Sequence, residues 1–209
     1  MASINAIKEI FPGCELKCCF FHLSQNVFRK IQELCLQIKY QQDENFAIKA
    51  KIIPALAFIP ERNVIEAFEL LQETLTSEFD DLLAYFEDKY IGRIKRSRRV
   101  TPQYPVNLWN MYERTNSLMP RTNNYIEGWH NKMQSAVSCH HPNIWKFLDI
   151  LQEEHRLNMF IANQVKDGHE QQSSKKYCDY NARLVIVIGQ YLNLRLLPYL
   201  RTVAINLRL

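Results

Sequence analysis

Three clusters of side chains have the types and spacing that chemistry requires. The first is Cys14, Cys18, Cys19 and His22. Thiolate and imidazole at the Cys19-x-x-His22 spacing could share a zinc ion, with Cys14 or Cys18 as a third ligand. A structural zinc wants four ligands, and the remaining half would have to come from Cys139, His140 and His141. Alternatively, the segment is a buried strand whose cysteines act as small hydrophobes and whose histidine is hydrogen-bonded. The second cluster lies in Arg121-Thr122-Asn123-Asn124-Tyr125-Ile126-Glu127-Gly128-Trp129-His130-Asn131. In a helix, Glu127, His130, Asn131 and Gln134 share one polar face opposite Ile126 and Trp129. A carboxylate beside an imidazole and an amide suits a hard divalent cation. Asn124-x-x-Glu127 also fits a capping box, in which Glu127 satisfies the cap residue's N–H, and both roles can coexist. The third cluster is Arg93, Lys95, Arg96, Arg98 and Arg99, followed by Tyr104, Trp109, Tyr112 and Arg114. Interleaved cations and aromatics suit phosphate contact and base stacking. A solvated loop or a nuclear-import signal has the same composition.

No phosphate-cradling glycine loop and no Gly-x-Ser-x-Gly elbow occurs. The elements that must position these residues read as mostly helical. Ile4, Ile7 and Ile10 predict a helix stopped by Pro12-Gly13, and the Phe- and Cys-rich stretch from Cys14 to Leu23 predicts a short buried strand. Ser24 can then cap a helix carrying Val27, Phe28, Ile31, Leu34 and Cys35. After a polar break at 41–46, helices run to Tyr90; Pro60 begins an acidic one, and the last two look like an antiparallel hairpin. Pro102 and Pro105 hold an extended segment leading to Trp109. A helix is expected from about Asn124 to Val137, burying Ile126, Trp129, Met133 and Val137. A longer one over about 144–165 turns Ile144, Phe147, Leu148, Leu151 and Phe160 inward. Residues 166–176 read as a linker. The tail, 177–209, holds an apolar stretch that is strand or buried helix, then a basic amphipathic end.

The chain has 209 residues, 47% of them apolar and 23% charged, which argues against bulk disorder. Five Gly and eight Pro are too few for a turn-dense β-sandwich. A net charge of +4 identifies no partner by itself, but its distribution is uneven. Segment 41–90 is strongly acidic and segment 91–209 strongly basic. Adjacent Cys18 and Cys19 would close a strained ring, so a reducing compartment is expected. No charged n-region precedes an apolar h-region, and runs such as Leu184 to Ile188 are too short to span a bilayer. The expectation is an intracellular, non-secreted protein with no membrane partner.

In order and spacing, these segments resemble Mutator-like-element (MULE) transposases, especially the animal forms that often carry a FLYWCH-type zinc finger. AIKEIFPGCELKCCFFHLSQNVFRKIQ is similar to that family's helix, turn and Cys-x-x-His strand. ALAFIPERNVIEAFELL and YFEDKYIGR resemble its helical insertion. RTNNYIEGWHNKM with HPNIWKFLDILQEE resembles its carboxyl-terminal core, and YLRTVAINL its ending. The resemblance implies a ribonuclease-H-like α/β core that cuts and joins DNA with three carboxylates and two Mg²⁺ or Mn²⁺ ions. The family's last acidic residue carries over to Glu127, beside His130 and Asn131, and its Cys-x-x-His pair to Cys19 and His22, where zinc could bind.

The expected organisation is then residues 1–40 as the end of the first part of the core, 41–115 as the insertion, 116–165 as returning core helices, and 166–209 as linker and tail. The expected class is mainly α, a fragment of the α/β core with one or two residual strands. The family's first catalytic Asp lies on an upstream strand and its second just before the helix that begins at Ala2; no Asp precedes Asp43. The expectation is therefore a transposase-derived fragment, inactive alone. Its implied setting is nuclear, its implied partner DNA, and a homo-oligomer is compatible. A non-catalytic DNA-binding or protein-interaction module is the alternative, with Arg93 to Arg99 as its contact.

Overall fold

Apolar residues recurring every three or four positions turn most of this chain into helix. The computed structural model describes residues 2–138, 143–169, 175–192 and 194–207. The order begins with α1 (Ala2–Ile10), α2 (Phe20–Glu33), α3 (Gln37–Gln42) and α4 (Glu44–Ala55). After a 3₁₀ turn at Leu56–Phe58 come α5 (Val64–Thr74) and α6 (Asp80–Phe86), the latter continued by a π-helical turn at Glu87–Ile91. A hairpin of β1 (Ile94–Lys95) and β2 (Arg98–Arg99) leads to α7 (Val106–Trp109) and α8 (Tyr112–Asn116). The rest is α9 (Asn124–Val137), α10 (Ile144–Lys166), α11 (Lys175–Gly189) and α12 (Leu196–Asn206). The hairpin forms the one sheet among the described residues. No helix among them is long and apolar enough to cross a membrane.

The chain divides into two compact units, Met1–Arg121 with Asn181–Leu209, and Thr122–Tyr180. In the first, α12 packs chiefly on α4, α3 on α4, and α2 on α6. Asp43 starts α4 by accepting the Phe46 N–H at 3.0 Å, a cap that stabilises by about 1 kcal/mol. Phe46 then stacks on Phe79 with ring centroids 4.8 Å apart. The buried Tyr199 hydroxyl of α12 donates to the Phe58 carbonyl, satisfying two polar groups within the core. Trp109 is fully buried, and its indole N–H is shared between the carbonyls of Tyr90 (3.2 Å) and Tyr104 (3.0 Å).

In the second unit α9 packs against α10. Lys132 meets Glu154 at 2.6 Å, and Met133 of α9 is buried.

Several expectations are corrected. The strand anticipated at Cys14–Leu23 is an extended segment that enters α2 at Phe20. Phe20, Leu23, Val27 and Ile31 are all buried at helical spacing, so the helix starts earlier, and Ser24 is inside it rather than capping it. The segment does lie against other backbone: Cys18 N–H donates to the Leu108 carbonyl and Phe20 N–H to that of Arg121. The strands among the described residues are thus not at the Cys-x-x-His segment but in the basic run. The helix expected from Asn124 is present, but Asn123 takes the cap position without a side-chain bond, and its carbonyl accepts from Ile126 and Glu127. Ile126, Trp129, Ile144, Leu148 and Phe160 are exposed rather than inward. Apolar residues occur on more than one side of α10, so periodicity did not select a single inner face. The apolar stretch of the tail is helix, with Leu184, Val187 and Ile188 buried in the first unit.

Candidate nucleic-acid interface

The basic run folds as a two-residue hairpin. Ile94 pairs with Arg99 and Lys95 with Arg98, antiparallel. Arg96 and Ser97 form the turn, both left-handed at φ 49° and 63°. That is the mirror-image turn whose twist matches a hairpin, usually made with Asn-Gly. Here two L-residues adopt it, at about 1–2 kcal/mol each. Alternation along the strands puts Lys95 and Arg98 on one face and Ile94 and Arg99 on the other. Directly opposed like charges destabilise a strand pair by up to about 1 kcal/mol. The tip therefore breaks two local rules at once, and such breaches concentrate at functional or strained sites.

The hairpin base is strongly specified. At Gly92 φ is +94°, and a Cβ there would stand 1.9 Å from the Val100 carbonyl oxygen. Val100 N–H donates to the Arg93 carbonyl at 3.0 Å, and Gly92 N–H to the Glu87 carbonyl at 2.6 Å, closing the π-helical turn. Arg99 points back into the unit. Its guanidinium meets Glu87 and the Gly92 carbonyl, each at 2.8 Å, and Glu69 at 2.7 Å. Burial pulls the Arg99 pKa down, but hydrogen bonds and charge from Glu69 and Glu87 outweigh it and hold the guanidinium above its usual range.

The five predicted contact cations therefore separate by role. Arg99 is 16% exposed and anchors the hairpin. Arg93 is exposed and pairs with Asp88 at 2.9 Å, a surface bridge of little strength. Lys95, Arg96 and Arg98 are exposed and make no ion pair among the described residues. Arg99→Met is expected to lower stability by about 1–3 kcal/mol, between the exposed and buried ion-pair ranges because Glu69 is half in water. Urea unfolding checks this, and an unchanged midpoint would remove the anchor role.

The aromatics of the predicted stacking platform are not presented with these cations. Trp109 is core, and Tyr104 stacks on the buried Tyr90 at 5.4 Å. Arg114 donates to the carbonyls of Cys18 and Pro120, tying two loops together. Tyr112 lines an open cleft of about 950 Å³ with Glu15, Lys17, Glu61, Arg62 and Arg114. Its carboxylates and cations alternate, so it lacks the one-sign field that gathers a polyanion.

Cys18, Cys19 and His22 border a pocket of about 100 Å³ beside Tyr90, Tyr104 and Trp109. Burial and the adjacent Cys19 push the Cys18 thiol up, with Arg114 opposing. Cys14 is exposed. Cys139, His140 and His141 lie outside the described residues. Glu127, in the first turn of α9, is half-buried, while His130 and Asn131 are exposed. Among the described residues no three of His, Cys, Asp and Glu come together as a metal-holding group. Each hard divalent ion needs several oxygen ligands and a structural zinc needs four ligands. Neither Glu127 nor Cys19 with His22 belongs to a group of three such donors among the described residues.

Sequence reasoning picked out the cations but not Gly92, Glu69 or Glu87, which hold them in place. The two carboxylates carry no local signal, and Gly92 stands out only once its backbone conformation is known. No family model, no curated protein and no solved structure matches the chain.

Proposed function

We propose that this chain is a duplex-DNA-binding module of MULE-transposase descent, with its contact at the 93–98 hairpin and a nuclear setting. The carrying observation is the hairpin tip, where Lys95, Arg96 and Arg98 stand exposed at and beside a strained turn while Arg99 is clamped behind them. A two-stranded ribbon has a width that enters the major groove. The acidic helices behind it repel phosphate, which restricts approach to the tip. The order of the sequence motifs supports the transposase ancestry and, with it, a ribonuclease-H-like origin of the helices. In that ancestry Glu127 is the closing acidic residue. Cleavage and strand transfer are the parent family's reaction, whereas binding is what the hairpin itself supports.

Fluorescence anisotropy with a labelled duplex tests this. Three phosphate contacts give a salt slope of about −2.7, so affinity should fall about 40-fold between 0.05 and 0.2 M salt. Lys95→Ala, Arg96→Ala and Arg98→Ala combined should flatten that slope to near zero without lowering the urea midpoint. No binding at low salt, or a triple variant that binds as the parent does, overturns the reading.

A further inference from the structure

We propose that Ser97 is a phosphorylation site for a basophilic serine/threonine kinase, and that the added phosphate switches the hairpin off as a DNA contact. The consequence for DNA rests on the reading above; the site itself rests on the hairpin. Ser97 is exposed at the turn, with Lys95 and Arg96 before it and Arg98 after it, all exposed. A kinase with an acidic substrate groove recognises a hydroxyl flanked by such cations. It must also extend the segment locally. Here the ladder is only two residue pairs long and its turn is strained at both central residues, so opening the tip is easy.

The structure also discriminates between two hydroxyls. Arg98-Arg99-Val100-Thr101 offers Thr101 an equally basic approach in sequence, and Thr101 is exposed. However, Arg99 is held by Glu69, Glu87 and the Gly92 carbonyl and cannot serve a kinase groove without breaking that clamp. Ser97 makes no such demand.

In the transfer step the Ser97 Oγ attacks the γ-phosphorus of ATP. The bond from that phosphorus to the β-bridging oxygen breaks, ADP leaves with the electron pair, and the hydroxyl proton passes to the kinase's carboxylate base. The product carries about −1.5 to −2 charges and three acceptor oxygens between cations on either side. The like-charged Lys95–Arg98 pair then has an anion of its own, covalently supplied, where a DNA phosphate would otherwise sit. Two effects follow from one event: the tip is stabilised, and its attraction for duplex is weakened.

The test uses the full chain with Mg·ATP and a purified basophilic serine kinase, read by intact mass and peptide sequencing. One phosphoryl group at Ser97, absent from Ser97→Ala, is expected. Modification at Thr101 instead, or none, overturns the site. A chain carrying phosphoserine installed at position 97 should bind duplex on the order of tenfold more weakly at 0.1 M salt, with a salt slope shallower by about 1–2. It should also show slower amide exchange over 93–99 than the unmodified chain. Equal duplex affinity of the two forms overturns the switch. Failure of the unmodified chain to bind duplex overturns the DNA reading and the switch together, whereas phosphorylation and exchange still decide the site.

Discussion

Replacing Trp109 by alanine is expected to destabilise the first unit by about 3–5 kcal/mol, the range for truncating a buried tryptophan. Trp109 is fully buried, with Phe86 edge-on at 5.6 Å and Tyr90 at 6.1 Å. Two losses add to the cavity. The carbonyls of Tyr90 and Tyr104 share the indole N–H, and with it gone they lose one of their hydrogen-bond donors. Those carbonyls lie on either side of the hairpin in sequence, so the indole braces the two ends of segment 90–104 against each other. Typical domain stability is about 5–15 kcal/mol, so the loss removes a large share of it.

The same substitution separates two roles for this side chain. As a base-stacking residue, Trp109 would lose DNA affinity on truncation while the fold stayed intact. As core, it loses the fold first. Urea unfolding followed by far-ultraviolet circular dichroism reads the stability, and Trp109→Phe, which keeps ring packing but drops the N–H, should fall between parent and alanine. The other two tryptophans are more exposed, Trp129 at 36% and Trp145 at 71%, so Trp109→Phe should also shift the remaining emission to the red. A Trp109→Ala chain with the parent midpoint and weakened duplex binding would restore the stacking role.

The helices were legible where period and caps agreed. The 124–137 and 144–165 patterns correspond closely to α9 and α10, because both have apolar residues at helical spacing and Asn143 caps the second through its side chain. Which side of α10 faces inward was not legible. Ile144, Trp145, Leu157 and Phe160 are spread around it, and only a neighbour selects among them. The Cys14–Leu23 stretch misled because two Phe and three Cys have β-like composition, whereas Phe20 and Leu23 already continued the Val27 and Ile31 stripe. The hairpin left almost no local signal. Its strands are two residues long, rich in Arg and Lys, and its turn has neither Asn nor Gly. That Arg99 differs in role from Arg98 depends on Glu69, thirty residues earlier, and no reading of the basic run alone could sort them. Tyr104 and Trp109 show the same limit, since an aromatic beside cations has identical composition whether it stacks on a base or in a core.

Gly92→Ala is the sharpest test of how the hairpin is held, because the chain contains its own control. Gly13 and Gly92 have nearly the same positive φ, 91° and 94°, but a Cβ at Gly13 meets nothing within 4 Å. Gly13→Ala therefore reports the cost of an L-residue at such a positive φ without a steric collision, about 1–2 kcal/mol. Gly92→Ala carries that penalty and a collision with the Val100 carbonyl oxygen at 1.9 Å, with Pro102 Cδ at 3.3 Å behind it. Neither obstacle is the end of a flexible side chain, so the hairpin base itself must open. Opening it strains the Val100–Arg93 backbone bond and the Arg99 contact with the Gly92 carbonyl, which together contribute about 1–3 kcal/mol. The expected loss at Gly92 is thus about 2–5 kcal/mol, clearly more than at Gly13. Released from its base, the run from Arg93 to Arg99 should become the first site of limited trypsin cleavage, since trypsin cuts after Lys and Arg in accessible chain. Duplex affinity should fall although no charge has changed, because a disordered run must be ordered again on binding. Equal midpoint losses at the two glycines, with no new cleavage, would show that the close approach at Gly92 does not hold the hairpin in register.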